Sequence, residues 1–170
     1  MIKKVLHYFS TGEILLWIFS VALILIAFYM FGGNGFLSLI ASMIGVTSIL
    51  LNAKGNPVGQ LLMIVFSLLY GIISYSFSYY GEMITYLGMT MPMAAFALIS
   101  WLLHPYKGNR SEVQVNVLHK TETVLIILWT LASLHDQRYI AVTVCFAAFF
   151  VNDTYAFVNW QKMKIRQNNE

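Results

Sequence analysis

Long apolar runs separated by short polar stretches dominate the chain. Four of these runs lie in the first 103 residues and cover 14–31, 35–51, 61–79 and 83–103. Each has about 17 to 21 residues, the helix length that crosses roughly 30 Å of hydrocarbon at 1.5 Å per residue. The pattern therefore predicts four transmembrane helices.

Two further runs follow a polar loop that carries five charged residues and covers 104–122. The run 139–160 is long enough to cross the membrane, although Asn152 and Asp153 interrupt it. The run 123–134 has only twelve residues, so a straight helix there would extend about 18 Å. We predict that both runs cross, which gives about six spans.

These segments form one transmembrane domain over residues 1–170, without room for a separate soluble domain. It consists of the first four spans (1–103), a cytoplasmic loop (104–122), the last two spans (123–160) and a cytoplasmic tail (161–170). Composition agrees, because 59% of the residues are apolar and only 10% are charged, whereas soluble domains carry about 25% charged residues.

Basic residues are strongly segregated when all six spans are counted. Arg138 alone falls on one side, and the other side receives Lys3, Lys4, Lys54, Lys107, Arg110, Lys120, Lys162, Lys164 and Arg166. Cytoplasmic loops of membrane proteins carry the excess of Lys and Arg, so both termini are predicted to be cytoplasmic. The basic residues flank apolar runs, which argues against a role in binding nucleic acid.

A weak internal repeat appears when the chain is shifted against itself by 59 positions. Aromatic residues then align as Tyr70 with Trp129, Tyr80 with Tyr139, Phe96 with Tyr155 and Trp101 with Trp160. Both copies point in the same direction, as in transporters built from parallel repeats with the substrate between them. Chance matches in so aromatic a chain remain the alternative.

Polar groups within the last span are the strongest functional signal, because an ionisable group in hydrocarbon costs about 2.5 to 3.5 kcal/mol. Asp153 is the clearest example. At 100° per residue, Asn152, Tyr155 and Asn159 share one helix face, with Asp153 beside it. We expect this face to meet protein or water rather than lipid.

Glu82 forms a second group with Tyr80 and Tyr86. A carboxylate among aromatic rings can attract a cationic ring by charge and by cation–π interaction. The alternative is that Glu82 is a solvated residue in a turn after Gly81. Aromatic residues near span ends are also typical of an interfacial belt.

Catalytic motifs are not found in the sequence. It contains no Walker loop, no His-Glu-x-x-His zinc helix and no nucleophile elbow, and its four histidines are scattered. An enzyme is therefore not predicted. A carrier without an ATP site moves its solute downhill or with an ion, and facilitated diffusion is the simplest mechanism.

Two segments resemble the PnuC family of nicotinamide riboside (nicotinamide mononucleotide) transporters in the form found in Gram-positive bacteria. One is Asn52 to Asn116, which begins NAKGNPVGQLLMIVF, and the other is Val151 to Met163, which reads VNDTYAFVNWQKM. With the similar amino-terminal spans, the resemblance covers most of the chain.

The resemblance implies an all-α, SWEET-like parallel-repeat bundle in the bacterial plasma membrane, with an additional amino-terminal helix. It also implies uptake of nicotinamide riboside by facilitated diffusion, without a cofactor, and trapping by a cytoplasmic ribosylnicotinamide kinase. Thiamine and riboflavin carriers of the same superfamily leave those vitamins as alternative substrates. Homo-oligomerisation stays open.

The chain departs from the family pattern between 117–122 and Thr123. Members of this type carry roughly two further helices and half of another there, so the second bundle is expected to be incomplete. Either the chain is an internally shortened member or an intervening segment is missing. A degenerate, non-transporting membrane protein of the same fold is therefore the rival interpretation.

Substrate-binding residues follow from the resemblance together with the polar face. We expect Trp129 to form a stacking wall and Asn152, Tyr155 and Asn159 to make polar contacts. A second set is chosen because a pyridinium cation favours carboxylates and aromatic faces, and it consists of Asp153, Tyr80, Glu82 and Tyr86.

Overall fold

The computed structural model describes residues 8–30, 35–115 and 140–170, with the side chains of 140–150 and of Asp153 left out. Its helices, in chain order, are α1 (Thr11–Met30), α2 (Phe36–Ala53), α3 (Pro57–Ser76), α4 (Tyr80–Ile84), α5 (Met91–Leu103) and α6 (Ile140–Asn169). A π-helical segment, Thr85–Thr90, joins α4 to α5. A small hairpin follows α5 and consists of β1 (Pro105–Tyr106) and β2 (Asn109–Val113).

Four helical segments in the described residues are long and apolar enough to cross a membrane: α1, α2, α3 and the continuous helix Tyr80–Leu103. They coincide with the first four predicted spans. Three of them, α1, α3 and Tyr80–Leu103, begin three or four residues before the predicted apolar runs, because each first turn contains a glycine and a polar residue that interrupt the apolar pattern. The prediction of a predominantly α-helical membrane protein is confirmed.

A capping box begins α1. The backbone N–H of Ser10 donates to Oε2 of Glu13 at 2.6 Å, and the backbone N–H of Glu13 donates to the Ser10 hydroxyl at 3.3 Å. These reciprocal bonds satisfy donors that the first helical turn leaves without partners. The box also fixes the position of the Glu13 carboxylate.

The corner between α2 and α3 is a Schellman motif followed directly by an N-cap. The N–H groups of Gly55 and Asn56 donate to the carbonyls of Asn52 and Leu51, the bond pattern that ends a helix at a left-handed residue. Gly55 has φ of 67°. The Asn56 side chain then accepts from the N–H of Val58 at 3.0 Å. Only three residues therefore reverse the chain.

Small residues line the contacts between the spans. On α2 they are Ala41, Gly45 and Ser48, and on α3 they are Ser67, Gly71 and Ser74, all of which are buried. A Cβ at Gly45 would lie only 2.7 Å from the Phe66 ring. Helices in lipid pack chiefly through van der Waals contact, which small residues allow by close approach of the backbones.

The π-helical segment is explained by Pro92. Proline has no N–H to donate, and its ring would collide with the carbonyl four residues earlier in a regular α-helix. In the wider π-helical turn a backbone N–H donates to the carbonyl five residues earlier instead of four, and the N–H of Met91 accordingly donates to the carbonyl of Tyr86. The Thr90 hydroxyl also donates to the carbonyl of Thr85 at 3.2 Å.

The predicted loop 104–122 contains an ordered hairpin that the sequence patterns did not predict. Its two-residue turn, Lys107 and Gly108, has positive φ at both positions, as the twist of a tight hairpin requires. The hairpin covers a buried apolar cluster formed by Trp101, Val113, Val115, Trp160 and Met163. We call this end of the bundle the hairpin end and the opposite end the far end.

Helix α6 runs from Ile140 to Asn169 without a break, so residues 161–169 of the predicted tail are helical. Its last turns pack beside the hairpin, and Trp160 lies 5.4 Å from Trp101 between ring centroids. The carboxy-terminal residues are therefore part of the folded bundle.

Gly55→Ala tests the corner. The new Cβ would lie 2.9 Å from Val113 and 3.0 Å from Met163, and the left-handed conformation itself costs a non-glycine residue about 1 to 2 kcal/mol. We expect a lower thermal unfolding midpoint in detergent than for the control Gly108→Ala. Gly108 has φ of 77° but no neighbour within 4 Å. An equal loss in both variants would contradict the packing of the corner against the hairpin.

Candidate functional site

A buried carboxylate joins three parts of the structure at the hairpin end. Glu13 is 3% exposed and lies in the first turn of α1. Its Oε1 accepts a hydrogen bond from the Tyr155 hydroxyl on α6 at 2.6 Å. Both of its carboxylate oxygens lie 3.0 Å from Nζ of Lys54. The carboxylate therefore ties α1 to α6 and to the α2–α3 corner.

Lys54 also contacts aromatic rings. Its Nζ lies 4.8 Å from the centroid of the Tyr8 ring and 5.6 Å from that of Phe9, within the range of cation–π attraction. The Tyr8 hydroxyl accepts a hydrogen bond from Asn56 at 3.1 Å, and burial raises the pKa of this hydroxyl above its ordinary value. Tyr8 is therefore a neutral ring beneath the lysine.

The predicted polar face of α6 lies against α1 and α2. Asn152 is buried and donates to the Ser20 hydroxyl at 3.1 Å. Asn159 donates to the carbonyl of Ala53 at 2.7 Å. Together with the bond from Tyr155 to Glu13, these contacts show that all three residues face protein.

The α6 side chains also cap α2. Trp160 donates through its indole N–H to the carbonyl of Asn52 at 3.0 Å, one residue from the Ala53 carbonyl that Asn159 binds. The last carbonyls of a helix have no partner within it and carry its negative dipole end. Helix α6 therefore satisfies the terminus of α2 from a distant part of the sequence.

The second predicted group lies on the far half of the bundle. Tyr86 forms an aromatic group with Phe66 and Tyr70, with ring centroids 4.8 to 5.7 Å apart. Tyr70 shares a hydrogen bond of 2.9 Å with Ser42, and Ser74 donates to Glu82 at 3.3 Å. The carboxylate and the aromatic group thus lie on neighbouring helices, α3 and the helix that contains α4.

The remaining predicted site residues are Tyr80, Trp129 and Asp153. Tyr80 is exposed and lies 6.3 Å from Tyr75 between ring centroids. Trp129 lies outside the described residues. Asp153 belongs to α6, and its side chain is outside the described part.

Sequence reasoning missed Glu13, Lys54 and Ser20 as partners of the polar face. The pattern Ser-x-x-Glu from Ser10 to Glu13 was an available signal, since it marks a capping box and places an ionisable group at the start of an apolar run. Nothing local to Ser20 indicates that Asn152, 132 residues away, donates to it.

A cavity of about 290 Å³ lies at the hairpin end. Its polar lining includes Tyr8, Lys54, Asn109, Glu112, Asn159 and Arg166. Among the described side chains, no group of three His, Cys, Asp or Glu residues is placed to hold a metal ion. The cavity is therefore suited to water or a polar solute.

The four membrane-capable helices, with a further helix docked on them through buried polar contacts, define a multi-pass α-helical membrane protein. The chain belongs to the nicotinamide mononucleotide transporter family, whose model matches residues 35–135. The predicted membership of the PnuC family is thereby confirmed.

A solved structure has the same fold. It is described as the crystal structure of the vitamin B3 transporter PnuC and is similar with a TM-score of 0.67 at 16% sequence identity. The alignment covers 94% of each chain. A comparison with curated proteins gives no match.

Lys54→Met should strongly destabilise the protein. It leaves the Glu13 charge buried with fewer donors, and removal of one partner of a buried ion pair costs about 3 to 5 kcal/mol. The double variant Glu13→Gln/Lys54→Met should recover most of this loss, because neither charge remains. Chemical unfolding in detergent measures both effects.

Lys107→Met is the matched control. Lys107 pairs with Glu170 at 3.5 Å, but both side chains are about half exposed or more, and exposed pairs contribute about 0 to 1 kcal/mol. If Lys54→Met were no more harmful than Lys107→Met, the proposed importance of the buried pair would be wrong.

Proposed function

We propose that the protein carries an NAD precursor, nicotinamide riboside, across the bacterial plasma membrane by facilitated diffusion. The observation that carries this proposal is the family match over residues 35–135. The solved PnuC structure, whose title names a vitamin B3 transporter, supports it through the shared fold. The sequence contains no Walker loop, so the solute would move downhill or with an ion, and facilitated diffusion is the simpler of the two mechanisms.

Net accumulation then depends on a cytoplasmic ribosylnicotinamide kinase. Phosphorylation adds a charged group to the riboside, so the carrier would not transport the product back out. The reaction also keeps the internal concentration of free riboside low. The protein itself would be a carrier rather than an enzyme.

The hairpin end is proposed to face the cytoplasm. Six of the basic residues counted above belong to this end, namely Lys54, Lys107, Arg110, Lys162, Lys164 and Arg166. The positive-inside rule therefore favours this orientation. The far end, with Glu82, would face the exterior.

The proposed architecture is a parallel repeat of about six spans with the substrate between the repeats. Support comes from Trp101 and Trp160, which the 59-residue offset relates to each other. Their rings pack 5.4 Å apart at the hairpin end. Tyr70, whose repeat counterpart is Trp129, belongs to the aromatic group on the other half of the bundle.

For recognition, we propose that the aromatic group and Glu82 attract the pyridinium ring as it enters. A desolvated cation over an aromatic face gains about 2 kcal/mol, and the carboxylate adds charge complementarity. Trp129, Asn152, Tyr155 and Asn159 are proposed as the inner contacts, with Asp153 and Tyr80 in supporting positions.

One observation favours the rival, a non-transporting membrane protein of this fold. Asn152, Tyr155 and Asn159 each already bind a protein group. A static bundle would keep these bonds permanently, whereas a carrier would exchange some of them for bonds to the substrate.

Uptake into proteoliposomes separates the two functions. With purified protein we expect labelled nicotinamide riboside to equilibrate across the membrane and to accumulate only when the kinase and ATP are enclosed. Thiamine and riboflavin as competitors test the alternative substrates. Accumulation driven by an imposed proton or sodium gradient would contradict facilitated diffusion. No uptake by monodisperse protein of the expected mass would support the rival.

Asn152→Ala and Ser20→Ala form a matched pair, because both remove the same protein hydrogen bond. Only Asn152→Ala removes the carboxamide proposed to bind substrate, so it should weaken riboside binding by about 2- to 10-fold, the value of one hydrogen bond. Ser20→Ala should leave binding nearly unchanged. Titration calorimetry in detergent measures both, and equal losses would assign Asn152 to packing alone. Trp129→Ala should weaken binding in the same assay.

A further inference from the structure

The hairpin and α6 are joined by a set of contacts that we call the clasp. It consists of Tyr106, Lys107, Glu112, Val113 and Val115 on the hairpin side and Arg166, Gln167 and Glu170 on the α6 side. Gln167 is its centre and is only 8% exposed. Its amide donates to the Val113 carbonyl at 3.0 Å and accepts from the Val115 N–H at 2.9 Å.

The rim of the clasp is charged and partly exposed. Arg166 pairs with Glu112, and Glu170 accepts from the Tyr106 hydroxyl at 2.8 Å. That hydroxyl holds the pKa of the Glu170 carboxyl below its ordinary value. The contacts of Glu170 are exposed, and exposed pairs contribute about 0 to 1 kcal/mol each. Glu112 is only 18% exposed and also accepts from the Gln167 amide at 3.1 Å.

The hairpin itself is fixed to the first helices. The Val113 N–H donates to the carbonyl of Gly55 at 3.0 Å, and the Gln114 N–H donates to the carbonyl of His104 at the end of α5. The hairpin therefore stays with the α2–α3 corner when the clasp opens, and the part of α6 that separates from it is the last turns beyond Asn159 and Trp160, which remain bonded to that corner.

The polar cavity lies along this same seam, because both Glu112 and Arg166 line it together with Asn159. A roomy polar cavity is suited to hold water. Water in this cavity would lower the cost of separating Arg166 from Glu112, since the freed groups do not enter an apolar medium. Beneath the rim, Met163 also lines the cavity but is only 7% exposed, and Trp160 is 8% exposed.

We propose that the clasp is the cytoplasmic gate, which opens between the hairpin and α6 to release the solute and then closes again. This inference rests on the proposed transport function. Gln167 and the Arg166–Glu112 pair would hold the gate closed, and none of them is among the residues proposed to bind substrate.

A reducible lock tests the proposal. Cys145, the one cysteine of the sequence, is first replaced by serine so that only introduced cysteines react. In this Cys145→Ser background, Glu112→Cys/Arg166→Cys is joined by a short bismethanethiosulfonate linker, which spans the seam and leaves Gln167 intact. We expect riboside uptake into proteoliposomes to fall by about tenfold or more, because the open state is excluded, and to recover on reduction. The control pair Ile165→Cys/Asn169→Cys lies one turn apart on the exposed surface of α6, outside the clasp, and should not affect uptake. Undiminished uptake by the locked protein would overturn the gate.

A second readout does not depend on transport. Met163→Cys, in the same Cys145→Ser background, reports opening through its rate of alkylation by a membrane-impermeant maleimide. Gln167→Ala should raise that rate about fivefold or more by weakening the closed state. Arg110→Ala, on the exposed hairpin surface outside the clasp, should not. Equal rates in all variants would overturn the proposal.

The two readouts separate failure of the gate from failure of transport. If the Cys145→Ser parent, which keeps the Arg166–Glu112 pair, carries no riboside, the proposed function is wrong, and a labelling rate that depends on Gln167 would still support an opening seam. If Gln167→Ala shows a collapsed unfolding midpoint, its labelling is discarded and the lock decides.

Discussion

The carboxylate of Glu13 is almost wholly buried, and a charge in such a position is tolerable only where donors surround it. Its donors come from Ser10, Lys54 and Tyr155. The arrangement of the hairpin end therefore depends on these groups converging, because displacement of any one leaves the charge less compensated. The same requirement aligns α1 and α6 with the α2–α3 corner.

Two kinds of packing meet in this bundle. The first helices contact one another through small residues such as Gly45 and Ser67, whose close approach suits an apolar medium. Helix α6, by contrast, is held by hydrogen bonds from Asn152, Asn159 and Trp160. Polar contacts can be exchanged for water or solute, whereas close backbone packing cannot. The structure thus combines a rigid unit with an exchangeable seam.

The sequence predicted the first four spans because their length and apolarity are local properties. It also predicted that Asn152, Tyr155 and Asn159 share a face, since helical periodicity requires it. The hydrogen-bond partners of these three residues could not be predicted, because the hydrogen bonds join residues that are 106 to 142 positions apart in the sequence. The hairpin was missed for another reason: its stability comes from a cluster with Trp160 and Met163, which no local pattern reveals.

The capping of α2 by α6 has a consequence for the order of assembly. The carbonyls of Asn52 and Ala53 accept from Trp160 and Asn159 at the end of a helix that the Schellman motif at Gly55 closes. The acceptors for α6 therefore belong to a corner built from residues adjacent in sequence, whereas α6 is synthesised later. We expect the α2–α3 pair to form first and to provide the surface on which the last helix docks.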